Sequence, residues 1–226
     1  MKRGIITIVW GDRSKLPLDR LLASTRRHHP ELPHEIVEVV PKRTGYGALQ
    51  EKARMLDLSP FDETLFLDAD TVVLGNLDFG FRKASDQGIA ICICENPWAR
   101  RYPKLFQGDE VEYNTGVMFF TSKARHVFEA WKRCAETRDS ILIHLMKGQP
   151  AMQESNDQGT FCTAIAETGF NPFVLPLNWN FRPVFQRSFF GPIKIWHDYS
   201  DPPAGVANEL PEYYKRQGAV IQFHRI

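Results

Sequence analysis

Asp68 and Asp70 stand two residues apart in Thr64-Leu65-Phe66-Leu67-Asp68-Ala69-Asp70-Thr71-Val72-Val73-Leu74, where an apolar run stops. In an extended chain residues i and i+2 share a face, so both carboxylates project the same way from the end of a strand. Two hard oxygen donors so placed suit a divalent cation such as Mg2+ or Mn2+. An ion held there from one side keeps positions open for the phosphates of a nucleotide. The spacing alone carries little weight. Thirteen aspartates in 226 residues give ~0.7 such pairs by chance, so the strand context is what makes it informative.

Other residues offer chemistry with ordinary readings beside it. Asn114-Thr115-Gly116 leads into the apolar run Val117-Met118-Phe119-Phe120. An amide offers a ligand both a donor and an acceptor, and glycine lets backbone approach it; a turn leading into a strand uses the same residues. Asp157-Gln158-Gly159 falls where a helix begins, a place where Asp also serves as a plain cap. His197 follows the apolar stretch Ile193 to Trp196. Imidazole is a good Mn2+ ligand, and a histidine so placed is as readily a structural group. His224 ends another apolar run and is its understudy, while His28, His29 and His34 read as surface residues near a helix end. Lys52 precedes the aspartates on a predicted helix, where lysine is ordinarily solvated.

The elements that must position these residues follow from periodicity. Gly4 to Trp10 is a β-branched strand, followed by the breaker Gly11-Asp12-Arg13-Ser14. Leu16, Leu18, Leu21 and Leu22 space as a helix reaching Arg27; Ile36 to Val40 is a strand, Leu49 to Leu58 a helix and Glu63 to Leu67 a strand. Alternation of this kind predicts an α/β fold with a largely parallel sheet covered on both faces, whose ligands sit at the carboxyl ends of the strands. Downstream, strands are predicted over Gly88 to Cys94, Val117 to Phe120, Phe173 to Leu177 and Ile193 to Trp196. Helices are predicted over Ser122 to Thr137, Asn156 to Glu167 and Glu209 to Arg216. Residues 1–226 read as one domain, about 1–100 a regular α/β half and about 101–226 a half that mixes strands and loops.

Six segments in order carry a resemblance: Lys52 with Leu56 and Leu58; Leu65 to Leu74 with Asn76-Leu77-Asp78; Tyr113 to Phe120; Asn156-Asp157-Gln158-Gly159; Leu177-Asn178-Trp179-Asn180; and Ile193 to His197. Together they resemble GT-A glycosyltransferases of family eight, the glycogenin and lipopolysaccharide galactosyltransferase group. The resemblance implies a Rossmann-like GT-A fold with a mixed, mostly parallel sheet flanked by helices. It implies a retaining hexosyl transfer from a UDP-sugar, with Mn2+ or Mg2+ held by Asp68, Asp70 and His197. It places donor contacts at Trp10, Gly11, Asp12, Lys52, Asp68, Ala69, Asn114 and Gly116. It also implies that Asp157 binds the donor sugar's hydroxyls and that Gln158 lies near the anomeric carbon. The acceptor is an unspecified glycan, lipid-linked molecule or protein.

The sequence departs from that pattern after His197, where Asp198-Tyr199-Ser200-Asp201-Pro202-Pro203 lacks the family's diphosphate-binding lysine. Arg182, Arg187, Lys215 and Arg225 are candidate substitutes. Two other classes compete. Haloacid-dehalogenase-type phosphohydrolases also place D-x-D-x-T after an apolar strand, usually the first strand of the domain, and two β-α units precede it here. A catalytically silent sugar-nucleotide-binding module is the other.

Composition limits the partners. Twenty-eight Lys and Arg against 27 Asp and Glu leave a net charge of +1, which does not draw the molecule to nucleic acid or an anionic membrane. No run approaches the ~18 apolar residues of a membrane span. The expectation is a cytoplasmic protein with at most peripheral membrane contact. Cys92, Cys94, Cys134 and Cys162 form no C-x-x-C pair and read as reduced core residues.

Overall fold

The computed structural model describes residues 1–12, 15–95, 111–137, 140–144, 150–154, 156–186, 188–190, 192–206 and 223–225. The chain opens with β1 (Arg3–Val9), α1 (Leu18–His28) and β2 (His34–Glu38). A 3-10 helix over Gly45–Arg54 runs into one α-turn, α2 (Met55–Leu58), then β3 (Glu63–Leu67) and β4 (Thr71–Val73). Next come α3 (Asp78–Gln87), β5 (Ile89–Ile93), β6 (Tyr113–Thr121), α4 (Arg125–Glu136) and a hairpin, β7 (Ser140–His144) with β8 (Pro150–Glu154). α5 (Asp157–Thr168), β9 (Phe173–Leu175), β10 (Ser188–Phe190), β11 (Ile195–His197) and β12 (Phe223–Arg225) complete the order.

Six strands form the central sheet in the order β2-β1-β3-β6-β5-β9. β1 is parallel to β2 and β3, β5 is parallel to β9, and β6 runs against both of its neighbours, β3 and β5. The sheet is thus mixed and mostly parallel. Alternate side chains of each strand feed two cores. Ile6, Phe66, Met118 and Phe120 join the α4 and α5 side with Phe128, Trp131 and Phe161. Ile5, Leu65, Val117 and Phe119 join the α1 and α3 side with Leu21 and Phe81. Burial on both faces explains why β3 and β6 read as unbroken apolar runs and not as alternating ones.

Three differences from the periodicity matter. Leu49 to Leu58 is not one α-helix: its first part belongs to the 3-10 helix, which buries Gln50, Glu51 and Lys52 in the protein. α3 carries no clear periodic signal because Gly80, a poor helix former, sits inside it. That glycine is needed by contact, since a Cβ there would lie 2.5 Å from the Phe119 ring. Finally, Thr71-Val72-Val73 is a strand of its own, antiparallel to β11, with Thr71 opposite His197 and Val72 opposite Trp196. This small ribbon covers a third core of Val72, Phe181, Ile193, Trp196 and Val206.

All four cysteines are free and buried. No helix of the described residues is long and apolar enough to cross a membrane. The helix expected over Glu209 to Arg216 lies outside the described residues.

Candidate active site

β1 and β3 are parallel and in register, so Trp10-Gly11-Asp12 and Asp68-Ala69-Asp70 leave the sheet at one edge, its carboxyl edge. A bond from Thr7 Oγ1 to the Leu67 carbonyl, 2.9 Å, ties the two strands just before that edge. The chain then turns sharply. The Asp68 N–H donates to the Gly116 carbonyl at 2.8 Å, while the N–H and hydroxyl of Thr71 donate back to the Asp68 carbonyl at 3.2 and 2.7 Å. This turn aims both carboxylates at β11. His197 Nε2 lies 3.4 Å from Asp70 Oδ1 and 3.7 Å from Asp68 Oδ2.

Among the described residues these three form a cluster whose ligand atoms all lie within 4.8 Å of one another. Two carboxylate oxygens and one imidazole nitrogen make a donor set that fits Mn2+ or Mg2+. The floor of the cluster is Gly116: a Cβ there would lie 2.3 Å from His197 Cε1 and 2.6 Å from Asp68 Oδ2. The close approach that glycine permits is therefore to the clustered side chains themselves.

Lys52 is 4% exposed, so it is no solvated helix lysine. Its ammonium lies 2.7 Å from Asp68 Oδ1, 2.9 Å from Asp68 Oδ2 and 3.1 Å from Asp157 Oδ2. Burial opposes its charge, but Asp157 and Asp68 outweigh that and hold its pKa above the ordinary lysine value. Burial pushes Asp68 upward, offset in part by Lys52 and His197. Burial also acts on Asp70, yet the charge and hydrogen bond of His197 prevail and bring it down to about 2. Asp68, Asp70 and Asp157 against Lys52 leave two formal negative charges when His197 is neutral, which matches the charge of one divalent cation.

The helix start resolves the ambiguity at Asp157. Asn156 is the cap, its side chain accepting from the Gly159 N–H at 2.9 Å. Asp157 is thereby released from capping and accepts from Thr115 Oγ1 at 2.5 Å as well as from Lys52. Gln158 is buried, and its Nε2 donates to Glu112 Oε1 and to Cys94 Sγ, the latter at 3.2 Å. A carboxylate accepts only, so the amide is oriented with its oxygen turned away from Glu112.

Asn114 is buried, and its Oδ1 accepts from the Gly116 N–H at 2.9 Å and from Asn180 Nδ2 at 2.8 Å. Its oxygen is thus engaged within the protein. Arg182 approaches Glu95 Oε2 at 3.4 Å, and Glu95 Oε1 is buried without a partner among the described residues. Burial raises the Glu95 pKa against the pull of Arg182. The side chains of Arg187, Lys215 and Arg225 lie outside the described residues, as does that of His224, whose backbone pairs with Phe189.

Some residues were missed or misread in the sequence. Glu95 and Glu112 gave no signal, since neither stands in a recognisable motif of the sequence. Arg20 had no signal beyond its place within the first predicted helix; its guanidinium donates to the carbonyls of Asp198 at 2.5 Å and of Tyr199 and Ser200 at 2.8 Å, and to that of Asp70 at 3.4 Å. It ties the end of the aspartate turn to the segment after His197. His29 is not a surface residue: it is buried, and its Nε2 accepts from the Leu77 N–H at 3.1 Å. His34 bonds Thr7 Oγ1 at 3.0 Å, and burial lowers its pKa to about 4.

No protein-family profile matches this sequence, and no curated protein matches it significantly. Solved structures do. Mouse xyloside xylosyltransferase 1, in its apo form, aligns at a TM-score of 0.56 and 15% identity, over 88% of this chain and 98% of the other. Galactosyltransferase LgtC, in complex with donor and acceptor sugar analogs, aligns at 0.53 and 13% identity, over 95% and 99%. The glycosyltransferase GlyE of Streptococcus pneumoniae aligns at 0.52 and 12% identity; this chain covers 55% of its length, and 89% of this chain is matched. At such identities the likeness is one of architecture. The sheet order, the carboxylate turn at its carboxyl edge and these alignments together establish that the chain has the GT-A glycosyltransferase fold.

Proposed function

We propose that the chain is a metal-dependent, retaining glycosyltransferase that moves a hexose from a UDP-sugar to a glycan, lipid-linked or protein acceptor. The observation that carries this reading is the convergence of Asp68, Asp70 and His197 at the carboxyl edge of a GT-A sheet, beside the buried Lys52–Asp157 pair. Breaking a sugar–diphosphate bond develops positive charge at the anomeric carbon and negative charge on the leaving group. A divalent cation held by Asp68, Asp70 and His197 supplies the charge that stabilises the departing diphosphate.

The protein's own groups do the rest. Lys52 pairs with both Asp68 and Asp157, offsets one of their two charges and holds the carboxylates in place. Asp157 accepts hydrogen bonds from the donor sugar's hydroxyls, which orients the ring. Gln158, turned by Glu112, offers its amide oxygen to the electron-poor anomeric carbon. The engagement of Asp157 Oδ2 by Lys52 and Thr115 makes it a poor nucleophile, so we favour a front-face departure and attack over a covalent intermediate. Trp10, Gly11, Asp12 and Ala69 share the carboxyl edge with the carboxylates and form the base and ribose side of the donor site. Arg182, beside Glu95 and Cys94, is the described candidate to replace the family's missing lysine. The four buried free thiols support a cytoplasmic place of work.

Nothing in the fold favours the dehalogenase-type alternative, because the aspartate pair ends the third strand and is engaged by Lys52 and His197. Calorimetric titration with UDP tests the reading. Binding should require Mn2+ or Mg2+, and equal affinity in chelator would remove the metal bridge. A panel of UDP-sugars should then show metal-dependent donor hydrolysis. Binding without turnover of any donor or acceptor would make the chain a silent module, and phosphate release from phosphomonoesters would revive the phosphohydrolase class.

A further inference from the structure

The hydrogen bonds behind His197 have a direction that can be read from one end. The N–H of Gly116 lies 2.9 Å from the Asn114 side chain. A backbone N–H only donates, so the atom facing it is the Asn114 oxygen, and the opposite flip would set two donors against each other. That oxygen lies 2.8 Å from the Asn180 side chain, which must present its NH2 group. The Asn180 oxygen is then turned to His197 Nδ1 at 2.7 Å. An amide oxygen only accepts, so the ring proton sits on Nδ1. Nε2, the atom nearest Asp70 and Asp68, keeps its lone pair in the neutral ring.

We infer that Asn114 and Asn180 form a one-way relay that sets the tautomer of His197, with the proton on Nδ1 and Nε2 reserved as the metal-binding atom. The ligand half of this inference rests on the metal site proposed above. The relay is well shielded: Asn114 is 5% and Asn180 1% exposed, so water does not compete for these bonds. It also joins three separate pieces of chain, β6 through Asn114 and Gly116, the segment after the 3-10 turn Leu177–Trp179 through Asn180, and β11 through His197. Both asparagines are positioning residues. Asn114 fits this role better than that of a full sugar-binding amide, because its oxygen is already taken.

The test separates the two halves. Long-range 1H–15N correlation spectra of histidine-labelled, metal-free protein at alkaline pH, where imidazole is neutral, should show His197 protonated on Nδ1. Asn180→Leu, similar in shape but without hydrogen-bonding atoms, should lose that single tautomer and bind Mn2+ about 10–100-fold more weakly by calorimetry without any nucleotide. Asn180→Asp retains an accepting oxygen and should retain the Nδ1 proton, which keeps the inference testable if the Leu variant does not fold. Wild-type His197 protonated on Nε2 would overturn the relay. So would an Asn180→Leu protein with the same tautomer and the same Mn2+ affinity as wild type. An Nδ1 proton in a wild-type protein without Mn2+ affinity supports the relay and removes the metal-site reading.

Discussion

Gly116 lies against His197 so closely that a methyl group on its Cα would come within 2.3 Å of the imidazole Cε1. The backbone there is not left-handed, so contact and not conformation demands glycine. Gly116→Ala must therefore displace His197, Asp68 or β6 itself. Overpacking of this kind costs about 1–3 kcal/mol, and Mn2+ affinity should fall at least about tenfold, on the scale of losses at disturbed metal sites. Urea denaturation and metal calorimetry measure the two effects. An alanine variant with wild-type stability and metal affinity would show that the cradle yields freely.

Lys52 pairs with two carboxylates, the buried Asp157 and the partly buried Asp68. Lys52→Met leaves Asp68 and Asp157 without that cation, and breaking a buried pair costs about 3–5 kcal/mol. The variant's site then carries one more unit of uncompensated negative charge, so Mn2+ should raise its melting temperature more than that of wild type. Thermal melts with and without Mn2+ decide this, and equal metal-induced shifts would mean that the cation does not sit beside Lys52.

The Asp70 carboxyl is held down at about 2 from an ordinary 3.8. An acid whose folded pKa is depressed contributes stability above its unfolded value and loses it as pH falls through the folded one. The window is therefore about pH 4 down to 2, with an upper bound on the order of 2 kcal/mol. Metal-free wild-type protein should lose stability across that window, and Asp70→Asn should lose less. Parallel acid limbs for the two proteins would refute the assignment.

Asp157 and Gln158 are neighbours with different duties. Asp157→Ala strips Lys52 and Thr115 of a partner, so it should lower the melting temperature as well as kcat/KM. Gln158→Ala should leave donor KM near wild type and lower kcat, since its amide acts at the reacting carbon. Steady-state kinetics with the donor found in the UDP-sugar panel separate them, and NMR of the product reads the anomeric configuration. An inverted product would end the retaining assignment for both residues.

Much of the site is written locally. The period-2 geometry of a strand puts Asp68 and Asp70 on one side wherever that strand lies, and the β-α-β-α-β alternation places its end at the carboxyl edge. The segment around Asp157 announces a helix start, although only the structure identifies Asn156 as the cap and frees its neighbour. Lys52 was visible as a residue but not as a buried one: a run of helix-forming side chains does not say that packing against α4 and α5 will draw the segment into a 3-10 helix and bury its polar face.

The sequence by itself determined the fold class, a sheet covered on both faces and the paired carboxylates, because each depends on residue type and spacing within a few positions. The resemblance named His197, while the residues alone left His224 beside it, and the tertiary structure makes the choice physical by setting His197 against those carboxylates. That choice is made by the register of β4 against β11, with Thr71 opposite His197, and by the amide orientations of Asn114 and Asn180 behind it. Register between distant strands is set by how three cores close at once, and amide orientation by which backbone N–H ends up nearby. Neither quantity exists in the chain until it is folded.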